Sequence, residues 1–451
     1  MVKNKSANSA RKTVTENKRG KGKTITLLSI VCVILATLLV MTFVRFPIGI
    51  RNFKSVLGSI DLDYDISGGT AYTLTPTKES KEVEDIDKVI ETLSYRMDEL
   101  GYQTYTIKAI KDYGADVKDY DIRIEAKSSD SLASDIKAIV AYGEVELYGG
   151  TSANPSERIL GDIDAISGAK YLGKYNDGEA TYYQVAIEFT DKAMEKIKAS
   201  ITSEASYYLE IRMGDEVLFP GKSPITMNAF NKNSLGIISR TESAAKQVAL
   251  QIQSGGLAYE YKISAPVSVS SPYGENVAKM SVIAVSALVV LIMASFILLY
   301  RGFGIITSLS MLSFILLEVL LLIAIPGLIV SLGGVVGIIL ATILAADGMV
   351  IIAKRVKDEF AKKEKTAKAA IKKGFRQSIL PIVSISVVTA FVSILLLLFT
   401  KGSVFSFACT LGIGAILGLL TNLVFTRMFA SLILPLIGNN SKLLNFKKEV
   451  A

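Results

Sequence analysis

The sequence predicts a six-span helical membrane bundle that carries one large α+β domain on its extracytoplasmic side. Three observations predict it: six long apolar runs, a strongly uneven distribution of lysine and arginine, and a charged segment between the first two runs. In that segment strand-like and helix-like stretches alternate. Half of the 451 residues are apolar and the mean hydropathy is +0.41, which excludes an ordinary soluble protein.

A helical span needs roughly 20 apolar residues to cross about 30 Å of hydrocarbon. The first run is Ile25 to Val44, within a span placed at residues 24–46. Its length, and the lack of a small-x-small cleavage site after it, predict a retained anchor and not a signal peptide. The next runs place spans at 280–300, 303–325 and 328–353. Two more follow at 377–400 and 404–437.

Cytoplasmic loops carry an excess of Lys and Arg. The tail 1–23 holds eight such residues against one acid, Glu16, and the loop 354–376 holds ten, so both are expected in the cytoplasm. Parity then puts 47–279 outside and the tail 438–451 inside. Residues 47–279 contain 25 Lys+Arg and 35 Asp+Glu, whereas the rest of the chain has 25 against 7. The basic charge therefore belongs to the membrane part, facing anionic lipid heads; nothing indicates a nucleic-acid partner.

Two cysteines, Cys32 and Cys409, both fall in predicted spans and cannot brace the outer domain. The absence of histidine excludes imidazole metal sites and histidine-based catalysis. No metal site and no cofactor is expected. Proton handling must use carboxylate, lysine or tyrosine. No constellation for hydrolysis or group transfer is present, so the chain is not read as an enzyme. Gly68-Gly69 lacks the spacing, lysine and following helix of a phosphate loop and reads as a tight turn.

In 47–279 the patterning predicts a strand on each side of Asp65-Ile66-Ser67-Gly68-Gly69. A helix over 85–100 ends at Gly101, and strands follow at 105–110 and 121–126. Helices at 132–140, 192–200 and 244–254 alternate with strands at 144–148, 181–190, 207–212 and 258–262. Residues 254–256 read as a helix cap and turn, and the polar stretch 228–241 as a crossing between sub-domains. This is an α+β pattern of antiparallel sheets covered on one face by helices.

Two carboxylates interrupt the spans, Asp347 and Glu318. A charged Asp at a helix centre costs roughly 2.5–3.5 kcal/mol on insertion scales. Two readings stand for each: a group that binds and releases an ion as its surroundings alternate, or a protonated acid making one interhelical hydrogen bond. Gly333, Gly337, Ala341 and Ala345 recur every four residues, with Gly348 close by, and Gly414 and Gly418 are placed as their opposing surface. Ser386, Thr389 and Ser393 share a face of the fifth span, either lining a wet path or bonding back to their own helix.

Residues 346–359, Ala-Asp-Gly-Met-Val-Ile-Ile-Ala-Lys-Arg-Val-Lys-Asp-Glu, resemble the signature of the SecD family of bacterial export proteins. In that family A-V-D-A-N-V runs into E-R-I-R-E-E, and Asp347, Val350, Arg355 and Glu359 fall on their counterparts. Phe407-Ala408-Cys409-Thr410-Leu411-Gly412 is similar to its G-F-A-x-T-L, and Thr426-Arg427 to its final T-R. Asp65 with Gly68-Gly69 resembles its G-L-D-L-x-G-G turn; Arg96 to Gly101 matches its R-x-D-x-L-G helix end. Residues 253–257 are similar to its R-S-G-A-L.

The resemblance implies half of an RND-type exporter, with a ferredoxin-like base formed by 47–140 and 240–279 and a head inserted at 141–239. It implies SecF and the SecYEG channel as partners and unfolded secretory polypeptide as substrate. H⁺ or Na⁺ flow would be coupled at Asp347. The family's fifth-span D-x-N-x-T-T is replaced here by Pro381-Ile382-Val383-Ser384-Ile385-Ser386, and Glu318 is added in the third span, so the ion path is read as altered or partly moved to Glu318. Other readings are a half-transporter for lipids or small molecules and a passive scaffold that binds exported chains.

Overall fold

The computed structural model describes residues 2–437, apart from 49–50, 78–85, 112–119, 143–144, 151–156, 162–165, 177–179, 201–206, 214–215, 221–224, 226, 255–256, 258–259 and 362–366. The turn expected at 255–256, the middle of the basic loop and the tail 438–451 lie outside the described residues. The chain forms two compact units: a membrane unit of Met1–Ser67 with Tyr273–Ala451, and an α+β unit of Gly68–Pro272.

The membrane unit opens with helix α1 (Val2–Phe43), a short hairpin of β1 (Phe46–Ile48) and β2 (Arg51–Phe53), and a single helical turn, α2 (Tyr64–Ser67). The strand expected before Asp65 is not there. Residues 61–63 instead make a one-residue parallel bridge, Leu62 to Val330, and the Asp63 N–H bonds Val330 O at 3.0 Å. Period-2 alternation reports a half-buried extended segment, but a strand also needs a long partner, and this one meets only a loop.

The α+β unit begins with β3 (Gly69–Pro76), helix α3 (Ile86–Glu99), β4 (Tyr105–Lys111), β5 (Tyr120–Ala126) and helix α4 (Leu132–Ile139). β6 (Val145–Gly150), β7 (Glu157–Gly161), β8 (Ile166–Asn176), β9 (Thr181–Phe189), helix α5 (Asp191–Ser200), β10 (Tyr208–Met213) and β11 (Glu216–Phe219) follow. β12 (Phe230–Asn231), β13 (Ser234–Ser239), helix α6 (Glu242–Ser254), β14 (Tyr261–Ile263) and β15 (Val267–Val269) complete it.

The first sheet has the order β14-β3-β5-β4, with β15 also on β3. Leu74, Ile122 and Ile124 on one face bury Leu93 and Met97 of α3 and Ile136 and Ile139 of α4. Two further four-stranded antiparallel sheets, β11-β10-β6-β7 and β12-β13-β9-β8, share a second core. Into it go Leu147, Ile211, Ile187 and Ile237, Met194 and Ile197 of α5, and Ala245, Ala249 and Ile252 of α6. The stretch 228–241, read as a polar crossing, therefore contributes a paired strand. β13 pairs with β9 over six residues and alternates buried Leu235 and Ile237 with exposed Gly236 and Ile238.

Helices α7 (Val277–Tyr300), α8 (Gly302–Ala324), α9 (Leu332–Ala361), α10 (Ala367–Phe399), α11 (Ser403–Leu420) and α12 (Thr426–Ile437) finish the membrane unit. Among the described residues, six helical segments are long and apolar enough to cross a membrane. Segments from α8 and α9 are more than half buried, whereas those of α1, α7 and α10 are largely exposed, so α8 and α9 run through the middle of the bundle. A π-helical turn, Thr421–Phe425, joins α11 to α12.

Candidate functional site

The small-residue stripe of α9 meets α11 as its spacing requires. A Cβ on Gly414 would lie 2.2 Å from Ala341 Cβ, one on Gly418 would touch Ala345 Cβ at 3.4 Å, and one on Gly337 would strike Thr410 Oγ1 at 2.1 Å. Such close approach lets side-chain hydroxyls reach the neighbouring backbone. Thr410 Oγ1 donates to Gly334 O at 2.9 Å and Ser406 Oγ accepts from Ser331 N–H at 3.0 Å.

Glu318, on α8, is fully buried against this junction. Its Oε1 lies 2.8 Å from where a Gly414 Cβ would stand, so only glycine there leaves room for the carboxyl. Neither carboxyl oxygen has a hydrogen-bond partner among the described residues. Burying a charge without a partner is far more costly than burying a neutral polar group, so Glu318 is carried as the neutral acid.

Asp347 sits elsewhere. It faces outward from α9, not along the glycine stripe, in an exposed row with Val336, Leu340 and Ile343. A carboxylate in an otherwise apolar outer face is unstable against lipid. The two carboxyls are not brought into contact with each other. Arg355, one turn beyond the apolar part of α9, and Arg427, on α12, are exposed. Glu359 is buried and held by Lys373 Nζ at 3.3 Å and Gln377 Nε2 at 3.3 Å, which ties the end of α9 to the start of α10. A Cβ on Gly412 would meet Ser393 Cβ at 3.2 Å, closing α10 onto α11. Thr389 and Ser393 bond back to Ile385 O and Thr389 O, at 2.9 and 3.0 Å.

Asp65 caps α9: its Oδ2 accepts from the Leu332 N–H at 2.7 Å. Burial pushes its carboxyl up to about 6, with the neighbouring Asp63 adding to the rise and the Leu332 bond opposing it. Gly68 follows in the left-handed region, at φ +74°. A Cβ on Gly69 would stand 1.9 Å from Ala126 O, so β3 can pair with β5 there only as glycine.

In the α+β unit Arg96 is fully buried. Its guanidinium donates to Ile139 O, to Ala141 O at 3.1 Å and to Ser254 Oγ at 2.9 Å. Burial lowers it to about 10, and it stays charged at neutral pH. Gly101, at φ +89°, ends α3, with the Tyr102 N–H returning to Met97 O at 3.1 Å. A cavity of about 330 Å³ in this unit is lined by Lys137, Tyr142, Met213, Glu260, Tyr261 and Ile263, among others.

Residues 253–434 match the family model described as "Protein export membrane protein SecD/SecF, C-terminal". The matched stretch is similar to the C-terminal part of SecD and SecF proteins. A protein translocase subunit SecD of Dictyoglomus turgidum is 24% identical over 395 residues, covering 84% of this chain and 92% of that one. The SecD of Escherichia coli K12 is 27% identical over 189 residues, 42% of this chain and 31% of its own length. Among solved structures, SecDF in its super-membrane-facing form superposes with a TM-score of 0.68 at 21% identity. That likeness covers 91% of this chain and only 57% of the SecDF chain. The chain thus shares the fold of part of SecDF: a bundle of membrane-length helices and a large α+β domain.

One residue of the membrane core had no signal beyond being a lone amide in an apolar run. Asn422 lies in the π turn, 2% exposed, and its Nδ2 donates to Ala345 O at 3.2 Å. A Cβ on Gly348 would collide with it at 2.2 Å.

Proposed function

We propose that this chain is a SecD-type subunit of the bacterial protein-export machinery, working in the plasma membrane with a SecF partner beside the SecYEG channel. Ion entry, H⁺ or Na⁺, drives late-stage export of unfolded polypeptide, which the α+β unit holds on the extracytoplasmic side. Both termini are cytoplasmic.

The observation that carries this reading is the outward-facing Asp347. A half-bundle that left this carboxylate on lipid would bear roughly 2.5–3.5 kcal/mol of insertion cost. A second half-bundle closing over the row of Val336, Leu340 and Ile343 removes that cost and creates a shielded carboxylate that can load and release an ion.

Cross-linking tests the pairing. With Cys32 and Cys409 replaced by serine, Ile343→Cys is expected to form a disulfide with cysteines scanned along the spans of SecF. Absence of any Ile343→Cys product in intact membranes contradicts the pairing.

A further inference from the structure

Between α9, α10 and α11 lies a cavity of about 20 Å³, lined by Ser386, Thr389, Gly348, Gly414, Gly418 and Asn422 among others. About 10–15 Å³ suffices for one water molecule, provided polar partners are present. Asn422 supplies one: its Oδ1 is buried and has no hydrogen-bond partner among the described residues, while its Nδ2 is fixed on Ala345 O. A buried amide oxygen left unmet is costly, and π turns recur at functional sites. Gly414 borders this cavity and also touches the space of the Glu318 carboxyl.

We propose that Asn422 holds a water molecule in this cavity, and that this water exchanges protons with the Glu318 carboxyl past the bare Cα of Gly414. The ligand is water, and the step is a proton exchange: Glu318 gives its proton to the water and receives one back, with no net change. Asn422 is a positioning residue. The proposal rests on the ion-coupled reading of the membrane unit, but its test does not use export.

The test is infrared spectroscopy of the full chain in lipid bilayers on transfer from H₂O to D₂O. The carboxylic-acid band that disappears in Glu318→Gln is assigned to Glu318. In the wild type it is expected to shift by deuteration within minutes. Asn422→Leu, which removes the amide, and Ser386→Leu, which fills the cavity from α10 and leaves Asn422 in place, are each expected to slow that shift at least tenfold. An unexchanging wild-type band, or unchanged rates in both variants, overturns the proposal. So does a sodium-dependent shift of an amide band lost in Asn422→Leu, which would make the cavity a cation site. Normal export in Asp347→Asn and Glu318→Gln would instead strike the export reading and leave the exchange result standing.

Discussion

The Asp65 carboxylate accepts a hydrogen bond from the Leu332 N–H at 2.7 Å, so the turn leading into the α+β unit caps the helix that carries Asp347. A negative charge at a helix N-terminus is favourable, yet burial dominates and raises this carboxyl from 3.8 to about 6. The native state therefore holds the Asp65 proton more tightly than the unfolded state. Its stabilising contribution is full below about 3.8 and is lost as pH rises through about 6. Thermal unfolding of the detergent-solubilised chain is expected to shift upward as pH falls from 7 to 5, and Asp65→Asn to flatten that window. An unchanged slope in the variant contradicts the assignment.

Arg96 closes the two crossings between the sheet of β3 to β5 and the second core. The outgoing chain offers Ile139 O and Ala141 O, the returning chain Ser254 Oγ, and Ala141 O also accepts from Leu257 N–H at 3.0 Å. Arg96→Met keeps much of the volume and leaves buried acceptors short of a donor, a loss of about 3 kcal/mol or more. Hydrogen exchange is expected to accelerate first at residues 139–142, at Ser254 and at Leu257. Arg96→Lys does not restore protection, because one ammonium cannot span the fork.

Two glycines make a contrast. Gly69→Ala drives a methyl into Ala126 O and must break the β3–β5 register, costing roughly 3 kcal/mol or more. Gly101 has open space around its Cβ position and only its φ of +89° resists a side chain, so Gly101→Asn is expected to cost about 1 kcal/mol. Protease resistance of the α+β unit in intact vesicles orders the two.

The helices were legible because hydropathy and small-residue spacing are local: Gly333, Gly337, Ala341 and Ala345 define the face that meets α11 before any partner is known. What was lost depended on tertiary context. The fourth span reads from Leu328, yet α9 starts at Leu332 because Val330 pairs its main chain with Asp61 and Asp63. β13 hid inside polar neighbours although Leu235 and Ile237 alternate correctly. β8 carries glycines at 168 and 173 and two register shifts, which erase its period. At the candidate site, the two carboxylates were visible as charges in apolar runs. Their opposite placement, Glu318 inward and Asp347 outward, depends on which helix face is covered. Asn422 became visible only through its unmet Oδ1.

Glu318 offers a sharper discrimination. If its carboxyl acts in proton movement, Glu318→Gln and Glu318→Leu lower export together, by about tenfold, with normal insertion. If it only packs, Glu318→Leu is neutral or stabilising, since replacing a buried unpaired polar group by an apolar one removes a desolvation cost. Precursor processing at matched protein levels reads the difference.

Asp347 is the decisive residue. The most direct measurement is the accumulation of unprocessed secretory precursors in cells whose only copy of this chain carries Asp347→Asn, with membrane levels of the protein checked. Precursor build-up at normal levels is the result expected of an ion-coupled export subunit. Unchanged export would contradict it and leave Asp347 as a packing group under a partner helix.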